Sequence, residues 1–401
     1  MTVPPSQPAE PPAPAAVVEA IHASGRRFVM VITGGGSGAI RELLVVPGGS
    51  RVLLEAIIPY APEALTRWLG ADPEQFCSPA TARAMAMRAF ERAVSYRATR
   101  PAVAGSGHAG IAAAAAIELG FGCTASLATD RPKRGPHRVH LAWQTASATA
   151  AYSLELVKGA RARDEEETLV SRLVLNALAE AVNVPQRVSL PLRSGEEISR
   201  SIVHAPDSWQ QLFCGARTSV YHGPTRTASA TPRAVFPGAF NPRHHGHRRM
   251  QAIAAARLGV PVEHEIAIVS VDKAPLDFLD LESRAGQFSA DEALWFTRAA
   301  TFVEKSRLFP NATFVVGADT VTRIGDPRYY GNYVARRDEA LTAIAAAGCR
   351  FLVFGRKVGQ SFATLDDLDL PPALAAMCVG VPAEEFRDDI SSTELRHAAV
   401  G

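Results

Sequence analysis

Apolar and polar residues follow the periods of strands and helices along most of the chain. An apolar run at Phe28–Ile32 leads into the glycine-rich segment Thr33–Gly38 and then into a helical pattern from Ala39. This order predicts the entry of an α/β unit. Further strand candidates are Ala102–Ala104, Thr124–Ala128 and Val139–Trp143, and helix candidates are Pro79–Tyr96 and Glu165–Val182. We expect a sheet covered by helices.

A second region with the same alternation begins near Ala234. Ala234–Phe236 predicts a strand, and an amphipathic helical pattern ends near Leu258. Strand candidates follow at Glu265–Ser270, Thr313–Val316 and Phe351–Phe354, with helix candidates at Ala290–Lys305 and Asp338–Ala347. Such alternation predicts a doubly wound parallel sheet that binds its ligand at the carboxyl ends of the strands.

Length and local composition predict how the domains are arranged. A chain of 401 residues suggests two or three domains. Residues 1–14 are mostly Pro, Ala and polar residues, which predicts a disordered leader. We assign residues 15–183 to a first α/β domain, residues 184–233 to a connecting segment and linker, and residues 234–401 to a second domain.

Charge and cysteine content narrow the possible partners and the compartment. Lys and Arg total 42 against 40 Asp and Glu, so no overall field attracts nucleic acid or a membrane. The five cysteines include no CxxC pair, which predicts a reducing compartment and no protein-held metal. The sequence shows no membrane span and no secretory signal. We therefore expect a cytoplasmic protein without a nucleic-acid or membrane partner.

The segment between the first strand and first helix of the second region holds two histidines. His244 and His247 are three residues apart, so they face the same way at the start of a helix. Gly246 between them allows a phosphate to approach the backbone, and the N-terminus of the helix favours the same anion. On its own, HxGH is also found as two surface histidines in a turn.

A second motif lies near the end of the sequence, at Ile390–Arg396. Hydroxyl groups at a helix start, helix N–H groups and the guanidinium of Arg396 suit a polyphosphate. Taken alone, the same residues are also typical of a capping box. The hydroxyl groups belong to Ser391, Ser392 and Thr393.

Together these motifs resemble the HxGH nucleotidylyltransferase superfamily over about residues 232–401. The FNP form at Phe240–Pro242, Lys273 in SVDKAPL and Asp319 in VGAD are most similar to the nicotinamide mononucleotide adenylyltransferases. The resemblance implies a Rossmann-like fold and transfer of a nucleotidyl group to a phosphorylated acceptor with release of pyrophosphate. It leaves ATP or CTP as the donor, and relatives with pantetheine phosphate, phosphocholine or a flavin as acceptors share the motifs.

The resemblance also implies roles for single residues. His244 and His247 would hold the α-phosphate, while Ser392, Thr393 and Arg396 would hold the β- and γ-phosphates, with Mg²⁺ bridging the triphosphate. Lys273 could meet the acceptor phosphate and Asp319 a ribose hydroxyl; a solvated loop charge and a helix cap are the alternatives. The remaining residues of the predicted nucleotide site are Gly238, Ala239, Phe240, Asn241, Gly246 and Ser391.

Residues 15–183 resemble the CinA C-terminal type of domain, a nicotinamide mononucleotide deamidase family with an α/β sandwich. The resemblance rests on short motifs around Thr33–Gly35, Val46–Ser50 and Ile58–Tyr60. The family's serine nucleophile corresponds to Val31 and its lysine to Leu65, and neither residue can attack or act as a base. We expect this domain to be non-catalytic; it could bind a nucleotide through the Gly34–Gly38 turn or act as an oligomerisation platform. We also expect the chain to form a homo-oligomer.

The sequence therefore predicts an enzyme with adenylyltransferase-like activity. A rival from another class is a non-catalytic nucleotide-binding scaffold.

Overall fold

The computed structural model describes residues 12–98, 117–131, 133–225, 232–270, 274–358 and 361–387. The chain divides into two compact units. The first unit is Met1–Ala216 with Asp272–Asp280, and the second is Arg217–Val271 with Leu281–Gly401. The strand candidate Ala102–Ala104 and the leader up to residue 11 lie outside the described residues.

The first unit is built on a six-stranded sheet in the order β2-β1-β3-β4-β5-β6. Its strands are β1 (Arg27–Thr33), β2 (Leu53–Ile57), β3 (Glu118–Ser126), β4 (His137–Gln144), β5 (Ala148–Leu156) and β6 (Ile198–His204). Strands β2, β1 and β3 are parallel, and the pairs from β3 to β6 are antiparallel.

Helices cover both faces of this sheet because successive strand residues point to opposite sides. Phe28, Met30 and Ile32 of β1 belong to the larger apolar core, whereas Val29 and Val31 belong to another cluster. The helices are α1 (Pro14–Ala23), α2 (Gly38–Val45), α3 (Pro62–Leu69), α4 (Pro79–Ala98), α5 (Arg163–Ala181) and α6 (Asp207–Phe213).

Glycines on β3 allow α4 to lie close to the sheet. A Cβ atom at Gly120 would come within 2.0 Å of the carbonyl oxygen of Ala86, and one at Gly122 within 2.4 Å of that of Ala82. Any larger residue at these two positions would push the helix away from the strand.

Residues 272–280 complete the first unit although they lie far along the sequence. The Nε and Nη2 of Arg83 donate to Asp277 at 2.7 Å and to Asp280 at 2.8 Å. Phe278 is fully buried, its ring centroid is 5.0 Å from that of Phe213, and its backbone N–H donates to the Oγ1 of Thr149.

The second unit contains a seven-stranded sheet in the order β15-β12-β11-β8-β9-β10-β7, in which only β7 is antiparallel. The strands are β7 (Ser219–His222), β8 (Ala234–Pro237), β9 (Glu263–Ala267), β10 (Leu294–Thr297), β11 (Thr313–Gly317), β12 (Arg350–Phe354) and β15 (Cys378–Val381). A separate hairpin joins β13 (Arg356–Val358) to β14 (Ser361–Ala363).

The helices of the second unit connect these strands. They are α7 (His245–Leu258), α8 (Phe278–Ala285), α9 (Phe302–Leu308), α10 (Ala318–Gly325), α11 (Val334–Ala346) and α12 (Pro372–Ala375), with α8 beginning in residues assigned to the first unit. From β8 the chain builds outward to β9 and β10, then crosses to β11 on the other side of β8. The crevice between β8 and β11 is therefore the topological switch point, where open α/β sheets bind ligands.

The α/β fold class and the doubly wound, Rossmann-like second sheet are confirmed. Two predictions from the sequence, one of a helix and one of a linker, differ from the structure. The helix predicted at Ala290–Lys305 is wrong, because Leu294–Thr297 forms β10 between β9 and β7. The predicted connecting segment 184–233 contains β6 of the first sheet and β7 of the second, and the units divide after Ala216.

Candidate functional site

The loop between β8 and α7 carries the predicted histidines at the switch point. Phe240 in this loop has a positive φ of 44°, and its buried ring lies 5.1 Å from the His247 ring. A Cβ atom at Gly238 would come within 2.7 Å of the Phe240 ring. Glycine at position 238 thus lets the phenyl ring fold back under the loop.

The structure brings His244 and His247 together, with their ring centroids 3.8 Å apart. The backbone N–H of His244, just before α7, donates to the Nδ1 of His247 at 3.2 Å. Because Nδ1 accepts this hydrogen bond, the neutral His247 imidazole carries its proton on Nε2. Gly246 is buried between the two histidines.

The surroundings of His247 keep its ring uncharged. Burial lowers the pKa of His247 to about 3. Four groups that carry or can acquire positive charge act in the same direction: His244, Arg243, His264 and Arg356. At neutral pH, His247 is therefore a neutral hydrogen-bond donor rather than a cation.

Asp319 lies at the start of α10, directly after β11, and forms an ion pair. Its Oδ1 accepts a hydrogen bond from the Nη1 of Arg356 at 3.2 Å. The positive charge of Arg356 is one of the causes that lower the pKa of His247. Sequence reasoning missed Arg356; its one signal was an arginine two residues beyond the last residue of β12.

The described part of the chain ends against α7. The Nε of Arg257 donates to Glu385 at 3.0 Å, and the Nη1 of Arg249 donates to the carbonyl oxygen of Arg387 at 3.2 Å. Between these contacts Phe386 is buried, 5.0 Å from the Phe354 ring. Arg387 precedes Ser391 of the second motif by four positions in the sequence.

Five predicted site residues lie outside the described residues: Lys273, Ser391, Ser392, Thr393 and Arg396. Of the other predicted site residues, Ala239 accepts a hydrogen bond on its carbonyl oxygen from Arg284 at 2.8 Å, and Asn241 is exposed. Among the described residues, no group of three or more His, Cys, Asp or Glu side chains could hold a metal ion.

The first unit contains a cavity of about 380 Å³ next to the glycine-rich turn. The Glu167 carboxylate beside it accepts hydrogen bonds from the N–H of Gly36 at 2.9 Å, the N–H of Gly38 at 3.2 Å and the Oγ of Ser37 at 2.9 Å. These are the donors that a bound phosphate would use. In this structure the turn binds an internal carboxylate instead.

The two positions that correspond to serine and lysine in the resembled family lie in one apolar cluster. Val31 on β1 and Leu65 on α3 are both buried, together with Met85 and Ala89 of α4. The side chains in this cluster are apolar, as in a packed hydrophobic core.

The solved structures that match this chain include proteins described as competence or damage-inducible proteins and as members of the CinA superfamily. The protein from Enterobacter asburiae is 15% identical, with a TM-score of 0.31, and the match covers 43% of this chain and 98% of that one. The CihA protein from Agrobacterium tumefaciens is 18% identical, with a TM-score of 0.31 and coverage of 45% and 100%. A CinA superfamily protein from Escherichia coli is 14% identical, with a TM-score of 0.32 and coverage of 45% and 94%.

No protein-family model and no curated protein sequence matches the chain. Similarity at the level of these structures does not assign the chain to a family. In the described ranges, no helix is long and apolar enough to cross a membrane.

Proposed function

We propose that the second unit is a nucleotidylyltransferase that joins a nucleoside triphosphate to a phosphorylated acceptor and releases pyrophosphate. The observation that carries the proposal is the His244–His247 pair at the N-terminus of α7, at the switch point of a doubly wound sheet. Helix N–H groups and a neutral imidazole N–H suit a phosphate at this place.

The proposed reaction needs alignment more than covalent catalysis. An oxygen of the acceptor phosphate attacks the α-phosphorus, and the bond from that phosphorus to the oxygen bridging to the β-phosphate breaks. The leaving pyrophosphate keeps the electron pair, so no proton has to move in this step. Because the acceptor is already an anion, the enzyme supplies orientation and charge stabilisation.

Residues that the structure describes could donate hydrogen bonds to the negatively charged phosphates. The Nε2–H of His247 would donate to the α-phosphate, and the guanidinium of Arg356, paired with Asp319, would offset negative charge at the strand ends. The resemblance assigns the β- and γ-phosphates to Ser392, Thr393 and Arg396. Mg²⁺ would arrive as part of the nucleotide substrate, since it is commonly held by phosphate oxygens and water.

We further propose ATP as the donor and nicotinamide mononucleotide as the acceptor. This choice rests on the FNP and VGAD motifs, and a cytidylyl or pantetheine phosphate reaction is the alternative within the same chemistry. For the first unit we propose a CinA-like domain without hydrolase activity. Burial of Val31 and Leu65 in an apolar cluster supports that proposal.

A pyrophosphate-release screen tests the transferase. The full chain is incubated with Mg²⁺ and each pair of a nucleoside triphosphate and a phosphorylated acceptor, beside the His247→Ala variant. Release that needs both substrates and disappears in the variant supports the proposal. Tight nucleotide binding without turnover for any pair would favour the scaffold instead.

A further inference from the structure

The loop that carries the histidines is held from one side by the last turn of α8 and the residues that follow it. The Nη1 of Arg284 donates to the carbonyl oxygen of Ala239 at 2.8 Å, and the Nε2 of Gln287 donates to that of Phe240 at 2.9 Å. The Oε1 of Gln287 accepts the backbone N–H of Arg243 at 2.6 Å. Three peptide groups of the loop, the two that follow Ala239 and Phe240 and the one that precedes Arg243, are thus fixed by side chains outside the loop.

The Arg243 side chain completes this arrangement. It is 2% exposed, and its Nη1 and Nη2 donate to the two carboxylate oxygens of Glu292 at 2.9 and 2.5 Å. Its Nη2 also donates to Gln251 on α7 at 2.9 Å, and the guanidinium lies 4.5 Å from the centroid of the Phe288 ring. The Arg243 hydrogen bond is the largest cause that lowers the pKa of Glu292, to about 2.

Net stability alone does not account for the ion pair between the buried Arg243 side chain and Glu292, which is 23% exposed. A buried pair contributes little net stability compared with apolar residues of the same volume. Arg243 directly precedes His244, and it connects the loop, helix α7 and the segment 287–292 in one hydrogen-bond network. A rigid fork whose two terminal nitrogens are both hydrogen-bonded is suited to holding neighbouring groups in one orientation.

We infer that Arg243 is a positioning residue for nucleotidyl transfer: with Glu292 and Gln287 it fixes the turn that aligns His244 and His247. This inference rests on the function proposed above. Arg243 does not touch the reacting atoms; it acts through the two histidines. Because its positive charge faces His247 together with His244, His264 and Arg356, it also helps to keep that ring neutral.

Two substitutions of Arg243 distinguish the effect of its hydrogen-bonding geometry from the effect of its charge. Arg243→Gln removes the charge and the fork, so we expect about 10- to 100-fold lower kcat with KM for the nucleotide changed less than threefold, since small misalignments alone have this effect. The pKa of the His247 ring, followed by NMR, should rise in this variant. Arg243→Lys keeps the charge, so it should keep the low pKa of His247 and show an intermediate kcat.

The matched control is Arg337→Gln on α11. That guanidinium also bonds a carboxylate, Asp338, at 2.8 Å, and its other hydrogen bond goes to the carbonyl oxygen of Gly325 rather than to the loop. We expect this variant to match the wild type in kcat and in the titration of His247. Should Arg243→Gln fail to fold, the Arg243→Gln, Glu292→Gln double variant removes the unpaired carboxylate and takes its place.

The outcomes are distinguishable. A folded Arg243→Gln variant with unchanged kcat and unchanged His247 pKa overturns the positioning role. A loss of kcat shared by the Arg337→Gln control also overturns it. If the wild type shows no transfer with any substrate pair, the proposed function fails, and the NMR titration alone decides whether Arg243 controls His247.

Discussion

Replacing His264 by leucine should remove a pH-dependent loss of stability. His264 on β9 is fully buried, and its ring lies among those of Phe236, Phe240 and Phe288. Neither ring nitrogen has a hydrogen-bond partner within the described part of the chain. Burial lowers the pKa of His264 from 6.5 to about 4, with the Arg243 charge acting in the same direction and Glu292 opposing it.

The sign and size of the effect follow from proton linkage. The unfolded chain takes up a proton near pH 6.5 and the folded chain only near pH 4, so unfolding becomes easier as the pH falls through this window. Between about pH 7.5 and about pH 4.5, a group shifted this far removes roughly 2 to 3 kcal/mol from the free energy of unfolding. In the His264→Leu variant, this part of the fall in the free energy of unfolding should be absent.

Urea unfolding of the wild type and the variant at both pH values measures the difference. We expect His264→Leu to gain roughly 2 to 3 kcal/mol relative to the wild type when the pH is lowered. The control Phe314→Leu, in the core of the same sheet, changes packing without a titratable group, so its difference from the wild type should be the same at both pH values. An equal stability difference for His264→Leu at both pH values would refute the reasoning.

Three further predictions concern activity. His247→Ala should lower turnover by about 100- to 1,000-fold, as loss of a preorganised donor does; near-normal pyrophosphate release from the folded variant would contradict this. Arg396→Lys should weaken use of the nucleoside triphosphate, because an ammonium cannot form the bidentate fork; unchanged KM and kcat would remove Arg396 from the site. The full chain should release no ammonia from nicotinamide mononucleotide, since Val31 and Leu65 lack a nucleophile and a base; release abolished by Ser37→Ala would contradict the prediction.

Local features of the site could be predicted from the sequence. The strand, glycine turn and helix around Gly238 and His247 depend on short-range geometry, and the spacing of the histidines places them on one side of a helix start. The doubly wound parallel sheet of the second unit followed from the regular alternation of strand and helix patterns. These features need no knowledge of what lies across the fold.

Contacts between distant residues could not be predicted. The apolar run at Leu294–Phe296 resembles part of a helix because a short buried strand and a buried helix have the same pattern; only its place between β9 and β7 decides. The pairing of Asp319 with Arg356 and the contact of Glu167 with the glycine turn join residues 37 and about 130 positions apart. No local pattern signals such pairs.

The assignment of residues 272–280 to the first unit has a consequence for protein synthesis. Arg83 and Asp277 are 194 positions apart, and the ribosome has already made β7, β8 and β9 when Asp277 emerges. Domains commonly fold in the order in which they are translated. Here the buried place of Phe278 beside Phe213 stays unfilled until more than half of the chain has been translated. The nascent first unit is therefore completed only after β7, β8 and β9 of the second unit have been translated.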